Sequence, residues 1–422
     1  MRGSSGPSGA PAGRKRLAVA TAVASLLGVT AANAANPPPG DEFGWFASAA
    51  LTGDDNVFRV PDQALPPEGI ALAPQRSDVS LVSSAGIHFD LPVSAQRLVG
   101  QFTFGDHRYN RFDELNHDSY SGRLGLLWQV GSQMEGQVLF RQEKMMTSLA
   151  NLQIGTQSST PNFLRTREGL AEIRYGLQSA WQVRGAVSRL EHDNSSDQFF
   201  ISDLQRDAAE AELAYVTAAE TRIGVLARVE EGRLLNPQTL AGVAVSNSYR
   251  QHRATALMDW PISAKSRLNL RGGRVEREYK QFSQRDYSGW TYDAAYEWRP
   301  RDGATLTAIV RRDISDSEQV DVGLVVMRSI LLQPALQLSL KTRLMVNLEE
   351  GRRTYHGNII SPEGAVAPAV QEHVRIIQVA LAYQVTPKVR LTLDARREQR
   401  DSALAFQDYV AKIANFEVRI GL

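Results

Sequence analysis

From Ala414 to Leu422 apolar and polar side chains alternate one for one. Ala414, Phe416, Val418, Ile420 and Leu422 fall on one face, with Asn415, Glu417 and Arg419 on the other. Successive side chains of a strand point to opposite faces, so this spacing predicts a ribbon greasy on one side and charged on the other. The pattern recurs along the chain. Val389, Leu391, Leu393 and Ala395 alternate with Arg390, Thr392, Asp394 and Arg396; Ile223, Val225, Ala227 and Val229 alternate with Arg222, Gly224 and Arg228. Val183, Gly185 and Val187 sit between Gln182, Arg184 and Ser188, and Leu268 and Leu270 between Arg267, Asn269 and Arg271. A longer run, Leu336 to Leu348, holds Leu338, Leu340, Thr342, Leu344 and Val346 in phase against Gln337, Ser339, Lys341, Arg343 and Asn347. Residues 133–146 and 248–260 mix the two faces and set no register.

Turn signals punctuate these segments at Leu91-Pro92-Val93, Val130-Gly131-Ser132, Gln178-Ser179-Ala180 and Thr217-Ala218-Ala219. They continue at Pro261-Ile262-Ser263, Arg299-Pro300-Arg301-Asp302-Gly303, Gln333-Pro334 and Thr386-Pro387-Lys388. Between them run longer polar connections at 60–74, 147–164, 193–204, 234–247 and 351–369. Short turns at one end and long loops at the other are the habit of transmembrane barrels, and counting strands up and down gives about 18. The apolar face is often Ala, Gly or Val, whereas a soluble sandwich fills its core with large residues. Lipid needs no such packing. The prediction is an all-β, antiparallel up-and-down transmembrane barrel with its apolar face outward and both termini in the periplasm. Aromatics near strand ends (Trp45, Trp128, Tyr175, Trp181, Tyr215, Trp260, Trp298 and Tyr383) fit interfacial girdles.

The amino terminus agrees. Arg14, Lys15 and Arg16 precede an apolar run from Leu17 to Val29 and then Ala32-Asn33-Ala34, which reads as a signal peptide over 1–34 and a barrel domain over 35–422. The apolar run is too short to span a bilayer. Removing 1–34 leaves 43 basic and 46 acidic residues, so the mature chain is no basic nucleic-acid binder. Cysteine is absent, which excludes disulfides, thiol catalysis and a lipid anchor on cysteine. An exported chain of this pattern belongs in the bacterial outer membrane, among its lipids and lipopolysaccharide, as a monomer.

Of the basic residues 40 are arginine and 7 lysine. By parity Arg184, Arg222, Arg228, Arg267, Arg271, Lys341, Arg343, Arg390, Arg396 and Arg419 face the lumen, sharing it with Glu172, Glu210, Glu212, Asp293, Glu297, Asp394 and Glu417. Two readings stand side by side: a wall cross-braced by ion pairs, or a guanidinium ladder offering weak successive sites to carboxylate or sulfate groups of a passing polymer.

After the first strand comes Asp54-Asp55-Asn56-Val57-Phe58-Arg59. This run resembles one near the start of the mature region in the EpsL-like family, outer-membrane β-barrel proteins encoded with exopolysaccharide biosynthesis genes. The resemblance implies a role in exopolysaccharide production, through passage of a polysaccharide cargo or contact with periplasmic export proteins, and brings no catalytic residues with it. On its own chemistry the run turns the chain and blunts a strand end, and three adjacent oxygen ligands make a poor calcium site. The final Leu422 departs from the aromatic residue on which outer-membrane barrels often finish.

Enzyme signatures are weak. The seven histidines (88, 107, 117, 192, 252, 356 and 373) form no metal spacing, and neither a Gly-x-Ser-x-Gly elbow nor a phosphate loop appears. His117-Asp118-Ser119 and His192-Asp193 are suggestive only by adjacency. The sequence therefore predicts no catalytic residues, no metal and no cofactor. It predicts a pore for anionic polysaccharide, with a general diffusion porin or a non-conducting partner of an export complex as alternatives.

Overall fold

The computed structural model describes residues 43–61, 76–149, 161–197, 199–240, 242–246, 248–316, 323–357, 365, 368–403 and 407–421. The leader assigned to 1–34 lies outside the described residues. The strands are β1 (Phe43–Asp54), β2 (Asp78–Val93), β3 (Gln96–Tyr109), β4 (His117–Val130), β5 (Met134–Met146), β6 (Phe163–Tyr175) and β7 (Trp181–Asn194). They continue with β8 (Leu204–Val216), β9 (Arg222–Leu234), β10 (Gln238–Leu240), β11 (Val243–Val245), β12 (Tyr249–Ser263), β13 (Ser266–Tyr279) and β14 (Tyr287–Trp298). The last six are β15 (Ala304–Ser315), β16 (Leu324–Gln337), β17 (Thr342–His356), β18 (Val370–Thr386), β19 (Val389–Ser402) and β20 (Tyr409–Gly421).

Strands β10 and β11 form a small hairpin of their own in one long connection; the other strands make a single 18-stranded antiparallel sheet. Each pairs with its neighbours in sequence, and β1 closes the ring on β20 from Phe46 opposite Gly421 to Asp54 opposite Ile413. Closure leaves the ring without a free edge strand, the condition for strands to cross hydrocarbon. A ring of this size leaves room for water inside.

The alternation sorts the two faces as the sequence predicts. Leu51, Ile87, Phe102, Val225, Leu270, Val379, Leu393 and Phe416 stand on the outer wall, exposed. Their register partners are outward too, so the apolar rows run across strands as a belt. All eight predicted girdle aromatics share this outward parity and lie close to the short turns, among them Trp181 and Tyr215 in contact with ring centroids 5.1 Å apart. Short connections gather at this turn end, where β1 begins and β20 stops, and long ones at the opposite, loop end.

Two sequence expectations are overturned at one place. Gln333-Pro334 is no turn: both residues lie inside β16, where Pro334 stands opposite Leu306 of β15. Proline has no N–H for the ladder, and the β16–β17 register lacks pairs at 333 and 334. The true turn is 338–341, so the predicted strand through Leu336, Leu338, Leu340 and Leu344 is two strands. Leu340 sits fully exposed at its tip. Ser339 makes the turn, its Oγ accepting from the backbone N–H groups of Lys341 at 3.2 Å and Thr342 at 3.1 Å.

Candidate functional site

The lumen is lined by the opposite parity of every strand, so the charged face predicted from sequence converges on one enclosed space. Nine of the ten predicted basic residues are on it: Arg184, Arg222, Arg228, Arg267, Arg271, Arg343, Arg390, Arg396 and Arg419. The tenth, Lys341, is not. It belongs to the 338–341 turn, is exposed, and donates from Nζ to the carbonyl of Val385 at 3.1 Å. Its parity matched the wall only because a four-residue turn preserves the two-residue phase.

Most of the nine are paired. Arg184 bridges Glu172 at 2.9 Å and Glu210 at 2.8 Å; Arg222 binds Glu212; Arg228 binds Glu210 and, at 2.8 Å, Glu230. Arg267 binds Asp259 through both Nε, at 2.7 Å, and Nη2, and Arg396 binds Glu398 at 2.8 Å. None of these side chains is more than 32% exposed, so the pairs are better shielded from water than ordinary surface ion pairs. Their joint effect is to fix the side chains and cancel charge along β6 to β9.

Toward the turn end the wall changes. Arg343 and Arg271 are exposed to the lumen, Arg390 and Arg419 stand directly opposite one another, and none of the four has a carboxylate oxygen within 4.0 Å among the described residues. Arg390 donates to the Gln384 amide oxygen at 3.1 Å. The Arg419 guanidinium lies 3.7 Å from the centre of the Phe46 ring. This part of the lumen keeps its positive charge available.

The predicted motif has a structural task at the loop end. Asp54 ends β1 and pairs with Arg59 at 2.8 Å. Asp55 exchanges bonds with Lys412 of the last strand: its N–H donates to the Lys412 carbonyl at 3.1 Å, and its Oδ1 accepts from the Lys412 N–H at 2.6 Å. Asn56 is buried and donates from Nδ2 to the carbonyls of Val60 at 2.7 Å and Val410 at 3.0 Å. Arg59 adopts φ 56°, the left-handed turn that closes the motif. The run is thus a clasp between the first and last strands. Val57 then packs with Leu115 and Leu149, and Phe58 meets Phe112 edge-on at 4.7 Å, so the same motif seeds a small apolar core shared by three loops. Sequence reasoning placed these residues at a strand end but had no means of seeing strand closure across 354 positions.

A second feature of the mouth has no sequence signal. The β14–β15 ladder stops at Tyr292 opposite Arg312, and above it the β15–β16 tip leans inward. Ile314, Leu324 and Val326 carry outward parity, yet they are buried against Val275 of the inner wall, with Tyr287 beside them. Just past β15, Asp316 reaches the far strands. Its carboxylate accepts from Arg277 at 2.7 Å, Arg206 at 3.1 Å and the Tyr249 hydroxyl at 3.0 Å. Arg277 is buried, stacked 3.7 Å over the Tyr249 ring. That ring lies flat on Gly232, where a Cβ would sit 2.3 Å from it. Burial pushes the Asp316 carboxyl up, but Arg277 and Arg206 outweigh this and hold it below its ordinary range. Tyr279 adds a bond from its hydroxyl to the Gly323 carbonyl at 2.9 Å. The adjoining ends of β15 and β16 are therefore pinned to the inner wall at β8, β12 and β13.

The histidine motifs do not assemble as their adjacency suggested. His107 and Ser119 are within 2.9 Å and His117 stacks on His107 at 4.3 Å, but Asp118 stands opposite Asp106 on the other face of the sheet. His192 and Asp193 likewise part to opposite faces, and Asp193 pairs with Arg167 at 3.4 Å. Among the described residues no cluster of three or more potential metal ligands forms.

A closed ring of lipid-facing strands around a charged, hydrated lumen defines an outer-membrane β-barrel of the porin kind. The model of the family described as "Putative beta-barrel porin 2" matches residues 107–421, and the chain belongs to that family. No curated protein sequence matches it. Among solved structures it is similar to the ferric enterobactin receptor PfeA of Pseudomonas aeruginosa, with 9% identity over 91% of this chain and 82% of that one and a TM-score of 0.51. It is also similar to OccK2 (OpdF) of the same organism, solved in complex with glucuronate, with 11% identity over 90% and 98% of the chains and a TM-score of 0.47. Likeness at this identity extends to the fold alone.

Proposed function

We propose that this porin-like barrel passes anionic saccharide, delivered as exopolysaccharide, across the outer membrane. In this reading residues 1–34 direct export, 35–422 form the barrel, and the turn end and both termini face the periplasm. The observation that carries the cargo preference is the cationic stretch around Arg343, Arg390 and Arg419, where no carboxylate lies within 4.0 Å among the described residues. Guanidinium groups spaced along a hydrated path give many weak sites, which transport needs, and bind carboxylates in a planar fork. The resemblance of the 54–59 motif supports exopolysaccharide as the polymer.

The inward-leaning β15–β16 tip favours a second reading, a non-conducting scaffold for periplasmic export proteins. Planar-bilayer recordings of the mature chain separate the two. A pore conducts with anion preference, and the double variant Arg343→Glu/Arg390→Glu inverts that preference; unchanged selectivity refutes the cargo assignment. Deleting the gene should leave polymer made but missing from the surface, whereas a general porin leaves surface polymer unaltered.

A further inference from the structure

The outer wall carries a row of like charges of its own. Arg312 of β15, Arg328 of β16 and Arg352 of β17 are register partners on the outward face. Side chains directly opposite in a ladder are about 4.5–5.5 Å apart at Cβ, and like charges there destabilise the sheet. No carboxylate lies within 4.0 Å of any of the three among the described residues. The nearest outward acid on β17, Glu350, is turned to Arg375 at 3.9 Å, and beyond Arg352 the row continues with His373 and then Asp401.

The three arginines share a recess. Because the β15–β16 tip leans into the lumen, β14 and β15 part above Tyr292 and Arg312 and leave a notch in the wall. It holds about 290 Å³ and is lined by the three guanidinium groups with Tyr287, Ser288, Thr354 and Gln371. Arg312 is fixed at its base, donating to the Trp290 carbonyl and to the Tyr287 hydroxyl at 3.1 Å, while its Nε is buried with no partner. Arg328 and Arg352 are exposed and bond to none of the described residues. One register step below lie Val310 and Ile330 of the apolar belt, about 7 Å along the strands from the recess.

The geometry points to a site for the phosphorylated saccharide headgroup of an outer-leaflet lipid, of the bisphosphorylated lipid A type. A phosphate monoester brings close to two negative charges and oxygens that suit guanidinium forks, and would neutralise three cations that the sheet otherwise holds in mutual repulsion. The hydroxyl and amide groups of Ser288, Thr354 and Gln371 can serve sugar hydroxyls. The acyl chains of the same molecule would lie on the belt directly beneath. This inference rests on the loop end facing outward, as proposed above, but its test reads binding rather than conduction, so either can fail alone.

The test uses the mature chain folded in detergent and native mass spectrometry. Wild type should retain bisphosphorylated lipid A at least about tenfold better than the dephosphorylated form, a margin worth roughly 1.4 kcal/mol. Arg328→Gln/Arg352→Gln should lose that margin while keeping the heat-modifiable migration of a folded barrel. Arg397→Gln, outward on β19 and away from the recess, should keep it. Equal retention of dephosphorylated lipid A by wild type overturns the proposal. So does phosphatidylglycerol bound as well as lipid A, displacement by equimolar inorganic phosphate, or an equal loss in Arg397→Gln.

Discussion

An Asp316→Ala variant should open to a larger single-channel conductance than wild type in planar bilayers, with a noisier current. Among the described residues Asp316 is the carboxylate that binds Arg277 of β13 and Arg206 of β8, and Asp313 of the same hairpin pairs with Arg253 of β12 at 2.7 Å. Removing one partner of an enclosed pair leaves the other charge uncompensated, at about 3–5 kcal/mol. Asp316 keeps some exposure, so the lower end applies, and about 3 kcal/mol shifts the balance between inward and released tip by roughly a hundredfold. The strands below keep their ladders, so the barrel itself should survive. Acid should act in the same direction. The Asp316 carboxyl is held below its ordinary value, so its anchoring is complete above that value, about pH 4, and fails only as pH falls beneath it. Wild-type conductance should therefore be steady from neutral pH to about pH 4 and rise below it, while the variant is flat. A conductance unchanged by Asp316→Ala would mean that the tip does not limit the pore.

The largest effect on stability is expected at Glu372. It is fully buried on β18, paired with the equally enclosed Arg400 of β19, and accepts from the Tyr355 hydroxyl at 2.7 Å and the Ser402 hydroxyl at 3.0 Å. Glu372→Ala removes the buried counter-charge of Arg400, leaving it the neutral Gln407 amide, and takes the acceptor from the Tyr355 hydroxyl, so about 3–5 kcal/mol should be lost from folding stability. Urea titration in detergent micelles, read by tryptophan fluorescence, checks this. By contrast, Arg274→Gln removes an exposed pair with Glu276 and should cost less than about 1 kcal/mol. Comparable losses in the two would contradict the burial argument.

Strand number, and face outside 133–146 and 248–260, were legible because hydrocarbon and water are sorted by parity, and parity is written in most of the sequence. The alternating segment from Ala414 to Gly421 lies in β20, and Arg390, Arg396 and Arg419 fall on the face their phase predicts. The misreading at 336–348 has a local cause. Its turn contains no Gly, Pro, Asn or Asp, while Pro334 offered a false signal four residues early. Connections at 110–116, 280–286 and 403–408 were too short to stand out beside the long polar ones. Pairing was the larger blind spot. Nothing in the sequence says that Arg184 would meet Glu210, that Asp55 would bind the last strand, or that Asp316 would cross to β13, because these contacts depend on strand order and on the lean of one hairpin. The ladder of free arginines therefore shrinks to its turn-end part, and the 54–59 motif, read as a family mark, becomes the clasp of the ring.

Which face of each strand meets lipid can be measured directly, because the chain has no cysteine. Single cysteines at the neighbours Leu270 and Arg271, and at Leu344 and Arg343, can carry a bimane label in bilayers of brominated lipid. Strong quenching by the bromines is expected at 270 and 344, and none at 271 and 343, with fast reaction there toward a charged, membrane-impermeant thiol reagent. Quenching at 271 and 343 with protection at 270 and 344 would contradict it.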